Sequence, residues 1–371
     1  MILRNLRLVN FRRYTDSVFE FHHKTNFING ENGSGKTSIL EAIHYLSLTK
    51  SFRTNNDSEA VQYHRDYFNV FGKFTDTHDK DLLINVNYSK ADGRSLLLNK
   101  ARIKRYADIV GLAPVVILSP GLQKITEGGP AERRNFINRI ISQTDRDYFL
   151  SLIEYKHRLT QRNTVLNRYR DRKHYHYDAY FEAQDEMLAK TGKKIDKGRQ
   201  AFLIAFEPIF KAIFKRIKHI DSQVEICVKY NLKTTAKDYT DKFMNSLKER
   251  FERDVVSGRT SCGPHLDEII ILYNDREIRQ IGSQGEHKLV LIALKLAEGA
   301  YLESFKNEGI IFLLDDLFAF LDSEHCRNIV LEIGEKNQSL ITSTDIKELK
   351  KYGFIRKSDE FKTINITTGE A

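Results

Sequence analysis

The sequence predicts an α/β protein into which a second, mostly helical lobe is inserted. Three observations lead to this fold class. Short apolar runs separated by turns fill roughly the first 110 residues, a proline-free stretch with helical spacing follows, and buried-strand patterns return near the end. The 371 residues can form two lobes, and a hydrophobic fraction of 41% is typical of globular proteins.

Residues 1–115 are predicted to form the first part of the α/β lobe. One helix is expected to begin at Lys36, and Pro114, Pro120 and Pro130 mark the end of the segment. Several of the strands are expected to be antiparallel. The apolar runs that predict them are MILRNLRLV, SVFEF, NFING, FNVFGKF, LLINVNY and SLLLN.

Residues 116–250 are predicted to form the helical lobe, because no proline occurs between Ala131 and Pro208. One apolar stripe is expected on its first long helix, from Phe149, Leu152, Ile153, Leu159 and Leu166. The stripe is too short for an extended coiled coil. VEICVKYNL predicts a strand. Residues 251–371 return to α/β, with a helix in KLVLIALKLAEGAYLESF and a buried strand in GIIFLLDD.

The net charge of +9 is concentrated in the helical lobe. Residues 151–220 hold sixteen Lys and Arg against eight Asp and Glu. This excess is either a solvated helical surface or the footprint of a polyanion such as DNA. On the second interpretation, the candidate phosphate contacts are Arg168, Arg170, Arg172, Lys173, Lys193, Lys194 and Lys197.

Neither a membrane span nor a signal-peptide core is found in the sequence. Cys227, Cys262 and Cys326 are scattered and odd in number, which argues against a disulfide framework or a metal site. We therefore expect a cytoplasmic protein that does not enter a membrane.

The segment from Gly30 to Thr37, GENGSGKT, fits the phosphate-loop pattern G-x-x-x-x-G-K-[ST] in full. Its glycines allow successive backbone N–H groups to converge on phosphate oxygens, and the helix that follows adds its positive end. Lys36 is expected to reach the β- and γ-phosphates, and the Thr37 hydroxyl to bind Mg²⁺. The alternative is a glycine turn that happens to precede a lysine.

The apolar run from Ile310 to Leu314 leads directly into Asp315 and Asp316. Asp315 is the candidate second ligand of Mg²⁺, and Asp316 the candidate group that orients or deprotonates the attacking water. A plain strand end is the alternative. Two adjacent carboxylates at the end of a buried strand repel each other and lose hydration, so a purely structural role would be energetically unfavourable.

Ser283, Gln284 and Gly285 come just before a long predicted helix. The unsatisfied N–H groups of its first turn can bind an anion. Ser283 and Glu286 also fit a capping box, and both interpretations can hold at once.

In this order, the motifs resemble those of ATP-binding-cassette (ABC) ATPases of the chromosome-maintenance type, and within that group the RecF family of bacterial recombination mediators. The similarity runs from end to end. The segments that carry it are LVNFRRYTD, GENGSGKTSILEAIHYLSLTKSFR, ILSPGLQKITEGGPAERRNFI, YKHRLTQRNTVL, GRTSCGPHLDE, GSQGEHK and LLDD.

The resemblance implies an ABC-type P-loop ATPase lobe, with ATP and Mg²⁺ as cofactors. Asp316 and Lys36 would be catalytic, and Thr37 and Asp315 would hold the metal. Ser283, Gln284 and Gly285 would form the signature that contacts ATP on the other subunit of a dimer. Asp322 would belong to the D-loop and Thr342 to the switch strand. The nucleotide-binding loop would comprise Gly30, Glu31, Asn32, Gly33, Ser34, Gly35, Lys36, Thr37 and Ser38.

The resemblance places a basic residue near the nucleotide at Arg12 or Arg13, and Gln123 is its candidate Q-loop residue. The chain also departs from the family pattern. Phe320 replaces an acid, Leu266 replaces an arginine, and the signature continues with Glu286, His287 and Lys288 rather than glutamine and arginine. These changes bear on the dimer interface and the hydrolysis rate.

The function that follows is a weak, DNA-stimulated ATPase of recombinational repair and replication restart. Its ATP-bound homodimer would clamp duplex DNA near single-strand gaps in the nucleoid, and hydrolysis would release it. RecO and RecR are the partners that the resemblance implies, and recombinase loading is the outcome. The alternatives are a transporter-energising cassette and a small-molecule kinase, which have no use for the basic lobe, and a nuclease, which lacks a cluster of metal ligands.

Overall fold

The chain forms two compact units. Unit 1 comprises residues 1–123, 212–221 and 284–371, and unit 2 comprises residues 124–211 and 222–283. The computed structural model describes residues 1–170, 176–218, 222–232, 238–316, 329, 332–334, 336–344 and 361–367. Five of the residues considered above lie outside this described part: Arg172, Lys173, Phe320, Asp322 and Cys326.

The first stretch of unit 1 contains eight strands and one helix. Its elements are β1 (Ile2–Phe11), β2 (Tyr14–Glu20), β3 (Thr25–Gly30), α1 (Lys36–Leu48), β4 (Tyr67–Thr75), β5 (Asp81–Ser89), β6 (Gly93–Leu98), β7 (Ala101–Ile103) and β8 (Val115–Leu118). The six predicted strands are confirmed, and the predicted helix does begin at Lys36.

The elements of the middle of the chain are α2 (Lys124–Glu127), α3 (Pro130–Thr144), α4 (Arg146–Arg170), α5 (Ala179–Ile217), β9 (Val224–Lys229), α6 (Tyr239–Glu249), α7 (Phe251–Ser257), β10 (Glu268–Tyr273), β11 (Arg276–Glu277) and α8 (Ile278–Ile281). The last described elements are α9 (Gln284–Lys306), β12 (Ile311–Leu314), β13 (Gln338–Ser343) and β14 (Phe361–Ile366). The predictions of β9, α9 and β12 are confirmed. Within the described ranges, no helix is both long and apolar enough to span a membrane.

Unit 1 contains two sheets. One is antiparallel, with the strand order β2-β1-β4-β5-β6-β7, and the other is parallel, with the order β14-β3-β13-β12-β8. Helix α1 packs against strands of both sheets. Every residue of α1 except Thr37 is buried, and its apolar side chains join the core of this unit. Helix α1, which follows the phosphate loop, is therefore part of the core of unit 1, and the burial of its apolar side chains stabilises it there.

Unit 2 is mostly helical and carries the small sheet β11-β10-β9. Two arginines are buried in its interior. Arg162 donates from Nε to Asp185 Oδ1 and from Nη1 to Asp254 Oδ2, both at 2.7 Å. Arg199 donates from Nη1 to Asp267 Oδ2 at 2.9 Å. Buried charges of this kind are tolerated only when paired and hydrogen-bonded, as these are.

The apolar stripe predicted on α4 is wrong in its register. Ile153 is 46% exposed, and Leu152 is only partly buried. The buried face consists of Tyr148, Ser151, Tyr155, Arg162 and Leu166. Polar side chains can occupy this buried face because each has a hydrogen-bond partner there, as Arg162 does. The spacing of apolar residues in the sequence does not reveal such partners.

Candidate nucleotide site

The site lies at the carboxyl edge of the parallel sheet. In β3, β13, β12 and β8 the strands run in the same direction, so their last residues meet at one edge. The P-loop follows β3, Asp315 and Asp316 follow β12, and Ser119 follows β8. Loops beyond the carboxyl ends of parallel strands are where open α/β sheets bind ligands.

Two glycines of the loop have left-handed backbone conformations that other residues rarely adopt. Gly33 has φ 78° and Gly35 has φ 106°. A Cβ atom on Gly35 would lie 2.6 Å from Arg13 Cδ and 2.7 Å from the Tyr14 hydroxyl. Backbone conformation and space therefore both require glycine at position 35, whereas backbone conformation alone favours it at position 33.

The loop leaves its anion-binding groups available. Helix α1 has no side-chain cap and no acidic residue in its first turn. The Ser34 hydroxyl is fully buried and, within the described structure, has no hydrogen-bond partner. Lys36 Nζ donates to the carbonyl oxygens of Gly30 at 2.7 Å and Glu31 at 2.9 Å. Burial lowers the pKa of Lys36, and the neighbouring Asp316 and Asp315 oppose that shift. These groups fit a bound triphosphate.

Asp315 is the centre of a hydroxyl network. Its Oδ1 accepts hydrogen bonds from Thr37 Oγ1 at 2.9 Å and Thr342 Oγ1 at 3.1 Å, and its Oδ2 accepts from Ser119 Oγ at 3.4 Å. Burial raises the pKa of Asp315, whereas the hydrogen bond from Thr37 lowers it. A carboxylate next to a threonine hydroxyl offers the hard oxygen donors that Mg²⁺ prefers, so these residues fit that ion.

Asp316 differs from Asp315 in its surroundings. Its backbone N–H donates to Thr342 Oγ1 at 2.8 Å, and its φ of 46° lies in the left-handed region. It lines the same cleft as Lys36 and Thr37, a cavity of about 1090 Å³. Strained backbone at such a position costs of order 1–3 kcal/mol and often accompanies function.

The two arginines that the sequence left unresolved have different surroundings. Arg12 forms a forked pair with the buried Glu41, from Nη2 to Oε1 at 2.6 Å and from Nε to Oε2 at 2.8 Å. Arg13 contacts the P-loop itself, because its Nη1 donates to the Gly33 carbonyl, while its buried Nε has no hydrogen-bond partner among the described residues. Arg13 therefore contacts the P-loop directly, whereas Arg12 is held by Glu41.

The signature residues lie at the start of α9. Ser283 precedes the helix, Gln284 and Gly285 begin it, and all three are exposed. A Cβ atom on Gly285 would have no neighbour within 4 Å in the part of the chain that the structure describes. The exposed helix start therefore has room for a ligand or another chain.

The described members of the predicted DNA contacts lie in unit 2, on α4 and α5. Arg168, Arg170, Lys194 and Lys197 are exposed, and Lys193 is half-buried. Lys190, which was not predicted, pairs with Glu186. The described members of the predicted set thus remain accessible to solvent. The buried Arg162 and Arg199, by contrast, account for part of the excess of positively charged residues in this region.

Sequence reasoning missed two functional groups. Ser119 contacts Asp315 from β8, and its only signal is that it follows the apolar strand VVIL. Glu41 receives Arg12, Ser51 and Arg53 while fully buried. A buried acid in an otherwise apolar helix face, in LEAI, is the signal that could have found it.

Comparison with known proteins matches residues 2–362 to the family "RecF/RecN/SMC N terminal domain". The DNA replication and repair protein RecF of Salinibacter ruber is 36% identical over 353 residues, which cover 93% of this chain and 85% of that protein. The protein of the same name from Chloroherpeton thalassium is 33% identical over 356 residues, which cover 94% and 96% of the two chains.

Solved structures of proteins with this name are also similar to this chain. One of "the recombination mediator protein RecF-ATPrS in RecFOR pathway" has a TM-score of 0.88 at 28% identity and covers 99% of this chain and 96% of that one. The corresponding RecF-ATP structure has a TM-score of 0.87 at 29% identity, with coverage of 93% and 92%. An Smc head bound to the C-winged helix domain of ScpA shares the fold, with a TM-score of 0.53 at 17% identity, over 94% of this chain and 91% of that one.

Proposed function

The chain belongs to the RecF family, with the predicted fold of an ABC-type ATP-binding protein, and on that premise we propose that it is an ATP-dependent DNA clamp of replication and repair. The relatives' names support this role over the transporter-energising alternative. The observation that carries it is the hydrogen bond between Asp315 and Thr37, which lines one cleft together with Lys36. It joins a phosphate-binding loop to a candidate metal ligand from a distant part of the chain.

The residues have distinct roles in this proposal. Lys36, Arg13 and the N–H groups at the start of α1 bind the phosphates. Thr37 and Asp315 would hold Mg²⁺, which supplies charge neutralisation at the β- and γ-phosphates when bound. Asp316 lines the cleft beside them and orients or deprotonates the attacking water. Its backbone is fixed by Thr342, the proposed switch residue, so a change at the phosphate can reach β13 directly.

ATP also joins two subunits in this proposal. The exposed Ser283, Gln284 and Gly285 contact the ATP held by a second copy, so two bound nucleotides close the dimer. The dimer encloses duplex DNA near a single-strand gap, and weak, DNA-stimulated hydrolysis opens it. The exposed cations of unit 2 contact phosphates without reading bases. The RecFOR pathway named for the solved RecF structures supports RecO and RecR as partners and recombinase loading as the outcome.

DNA binding measured at several salt concentrations, with and without ATP and Mg²⁺, tests the proposal. We expect tighter binding with ATP and Mg²⁺, and an affinity that falls steeply as salt rises. Lys36→Ala removes the P-loop cation and should lose the response to ATP while retaining nucleotide-independent binding. Lys73→Ala, at a surface pair with Asp81 outside the cleft, is the matched control. An affinity that does not respond to ATP in the wild type would overturn the clamp.

A further inference from the structure

Ser283 is the last residue of unit 2, and a short segment leads to it. β10 turns back into β11 through Asn274 and Asp275, α8 follows directly, and Ser283 comes two residues after the end of α8. Both turn residues have left-handed backbone conformations, with φ 49° and 61°, which a two-residue hairpin turn requires. The position of Ser283 therefore depends on what holds β10 and α8 in place.

Arg133, in the first turn of α3, holds β10. Its Nε donates to Ile269 O in β10, and its Nη1 donates to Gly128 O at 2.7 Å. The side chain is only 2% exposed. Two carbonyl oxygens satisfy its N–H groups but do not neutralise its charge, and a buried charge is costly unless it is paired. Arg133 therefore fixes β10 beside α3 and requires an acid nearby.

Glu268, the first residue of β10, is that acid. Its Oε1 lies 3.7 Å from Arg133 Nη2 and 3.9 Å from Arg279 Nη2, which belongs to α8. Arg279 Nε also lies 3.1 Å from Glu277 Oε1. We call Arg133, Glu268, Glu277 and Arg279 the charge cluster. In this cluster, arginines from α3 and α8 share one carboxylate of β10.

The two arginines of the charge cluster differ in their freedom to move. Arg133 is tied to two carbonyl oxygens, whereas the Arg279 side chain is 34% exposed. Burial lowers the pKa of Arg133, and the charge of Arg279 adds to that shift, while Glu277 and Glu268 oppose it. The two cations therefore repel each other across the acids. Loss of the Glu268 charge would displace Arg279, and α8 with it, because Arg133 is fixed.

We propose that Arg133 is a positioning residue for Ser283, and that Glu268 is the acid through which it holds α8. This inference rests on the proposed function, since it presumes that Ser283 contacts ATP held by a second copy. A displacement of about 1 Å at such a contact can cost a factor of about 100. If Arg133 only stabilised the fold, changes in the charge cluster would lower the melting temperature without a selective loss of the ATP-dependent dimer.

Glu268→Gln keeps the size of this side chain and removes its charge. We expect the monomer to bind ATP with wild-type affinity, because none of the four residues of the charge cluster lines the described nucleotide cleft. Dimerisation with ATP and Mg²⁺ should be weaker by roughly tenfold. Titration with a fluorescent ATP analogue measures the first quantity, and analytical ultracentrifugation over a range of protein concentrations measures the second. Glu154→Gln, at an acid that pairs with Arg158 on α4, is the matched control and should change neither.

Arg279→Gln tests the shared acid from the side of α8. Alone, it should weaken dimerisation, because α8 loses its attachment to Glu268. In the Glu268→Gln background it should cause no further loss, since that attachment is already gone and the repulsion from Arg133 is removed as well. Arg133→Lys keeps the charge but loses the planar fork that reaches both carbonyl oxygens, so it should weaken dimerisation too. Arg279→Gln, on a partly exposed side chain, serves if Arg133→Lys does not fold.

The outcomes distinguish this inference from the proposed function. A wild-type protein that forms no dimer with ATP would overturn the contact in trans and this inference with it. A wild-type dimer together with unchanged dimerisation of Glu268→Gln and Arg279→Gln would overturn the inference alone. Equal losses of ATP affinity and dimerisation would also overturn it, because they indicate a general loss of structure. Additive losses in the double variant would do the same, because the two residues would then act independently.

Discussion

The Thr37 hydroxyl donates a 2.9 Å hydrogen bond to the carboxylate of Asp315, which lies 278 positions further along the chain. Neither residue would be near the other without the parallel pairing of β3, β13 and β12. The candidate metal site is therefore a product of sheet topology. Its two oxygen groups are in direct contact, so little rearrangement is needed for a cation to join them.

Asp315→Asn should separate metal-dependent from metal-independent binding. The amide retains an acceptor for Thr37 and Thr342 but loses the charge that attracts Mg²⁺. We expect ATP affinity with Mg²⁺ to fall by roughly tenfold or more, and affinity in EDTA to stay near the wild-type value. Titration with a fluorescent ATP analogue under both conditions measures this. Equal losses in both would contradict the assignment.

Asp316→Asn should leave ATP binding intact and lower turnover by about 100-fold or more, because removal of a general base has effects of this size. Asparagine suits this test, since it tolerates the left-handed backbone that Asp316 adopts at φ 46°. Steady-state phosphate release gives the rate, and the melting temperature provides the folding control. Wild-type turnover in this variant would remove Asp316 from the mechanism.

Ser283→Arg should bind ATP as a monomer and fail to dimerise. Ser283 is exposed at the start of α9, so the larger side chain fits the isolated chain but obstructs a second one. Analytical ultracentrifugation with ATP and Mg²⁺ distinguishes the two states. An ATP-dependent dimer of Ser283→Arg would rule out the contact in trans.

Replacement of Lys193, Lys194 and Lys197 with glutamine should weaken DNA binding and flatten its dependence on salt. Each phosphate contact contributes a slope of roughly −0.9 in a plot of log affinity against log salt. Binding to different sequences should weaken about equally, and ATP affinity should not change. Arg168→Gln with Arg170→Gln is the parallel test on α4. Unchanged slopes in both sets would mean that these cations are solvated surface and that DNA contacts unit 1.

Asp196→Asn should stabilise the protein at neutral pH. Burial raises the pKa of Asp196 from 3.8 to about 6, with a further contribution from Asp267, so the folded state holds this proton more tightly than the unfolded chain. Protonated Asp196 therefore leaves the folded state at its most stable below pH 3.8. This contribution to the free energy of unfolding is lost as the pH rises to about 6. Denaturant unfolding should show a gain of about 2 kcal/mol at pH 7 that shrinks towards pH 4. A gain that does not depend on pH would contradict this explanation.

The local parts of the site could be predicted from the sequence. The spacing of glycines, lysine and threonine placed the P-loop between β3 and α1, and an apolar run before two acids placed Asp315 at a strand end. These signals are short-range, because each follows from the chemistry of adjacent residues. The pairing of β14 with β3 has no such signal, since FKTINI is short and its partner lies hundreds of residues away.

The exposure of charged side chains was the property that could be predicted least well from the sequence. A local excess of lysine and arginine suggested one exposed surface, yet Arg162 and Arg199 are buried against aspartates from other elements. The different partners of Arg12 and Arg13 could not be predicted for the same reason. Whether a cation faces solvent, a phosphate or a buried acid depends on partners that only the folded chain supplies.

The interleaving of the two units also orders events on the ribosome. Residues 124–283 include all of unit 2, which emerges from the exit tunnel while the partners of β3 have yet to be translated. Domains fold as units during synthesis, so the helical unit can form first, and β3 must wait with unpaired edges for β13 and β14. A nascent chain therefore has a phosphate loop but lacks Asp315 and Thr342 to complete it. The proposed nucleotide-driven closure on DNA would therefore have to await the synthesis of Asp315 and Thr342.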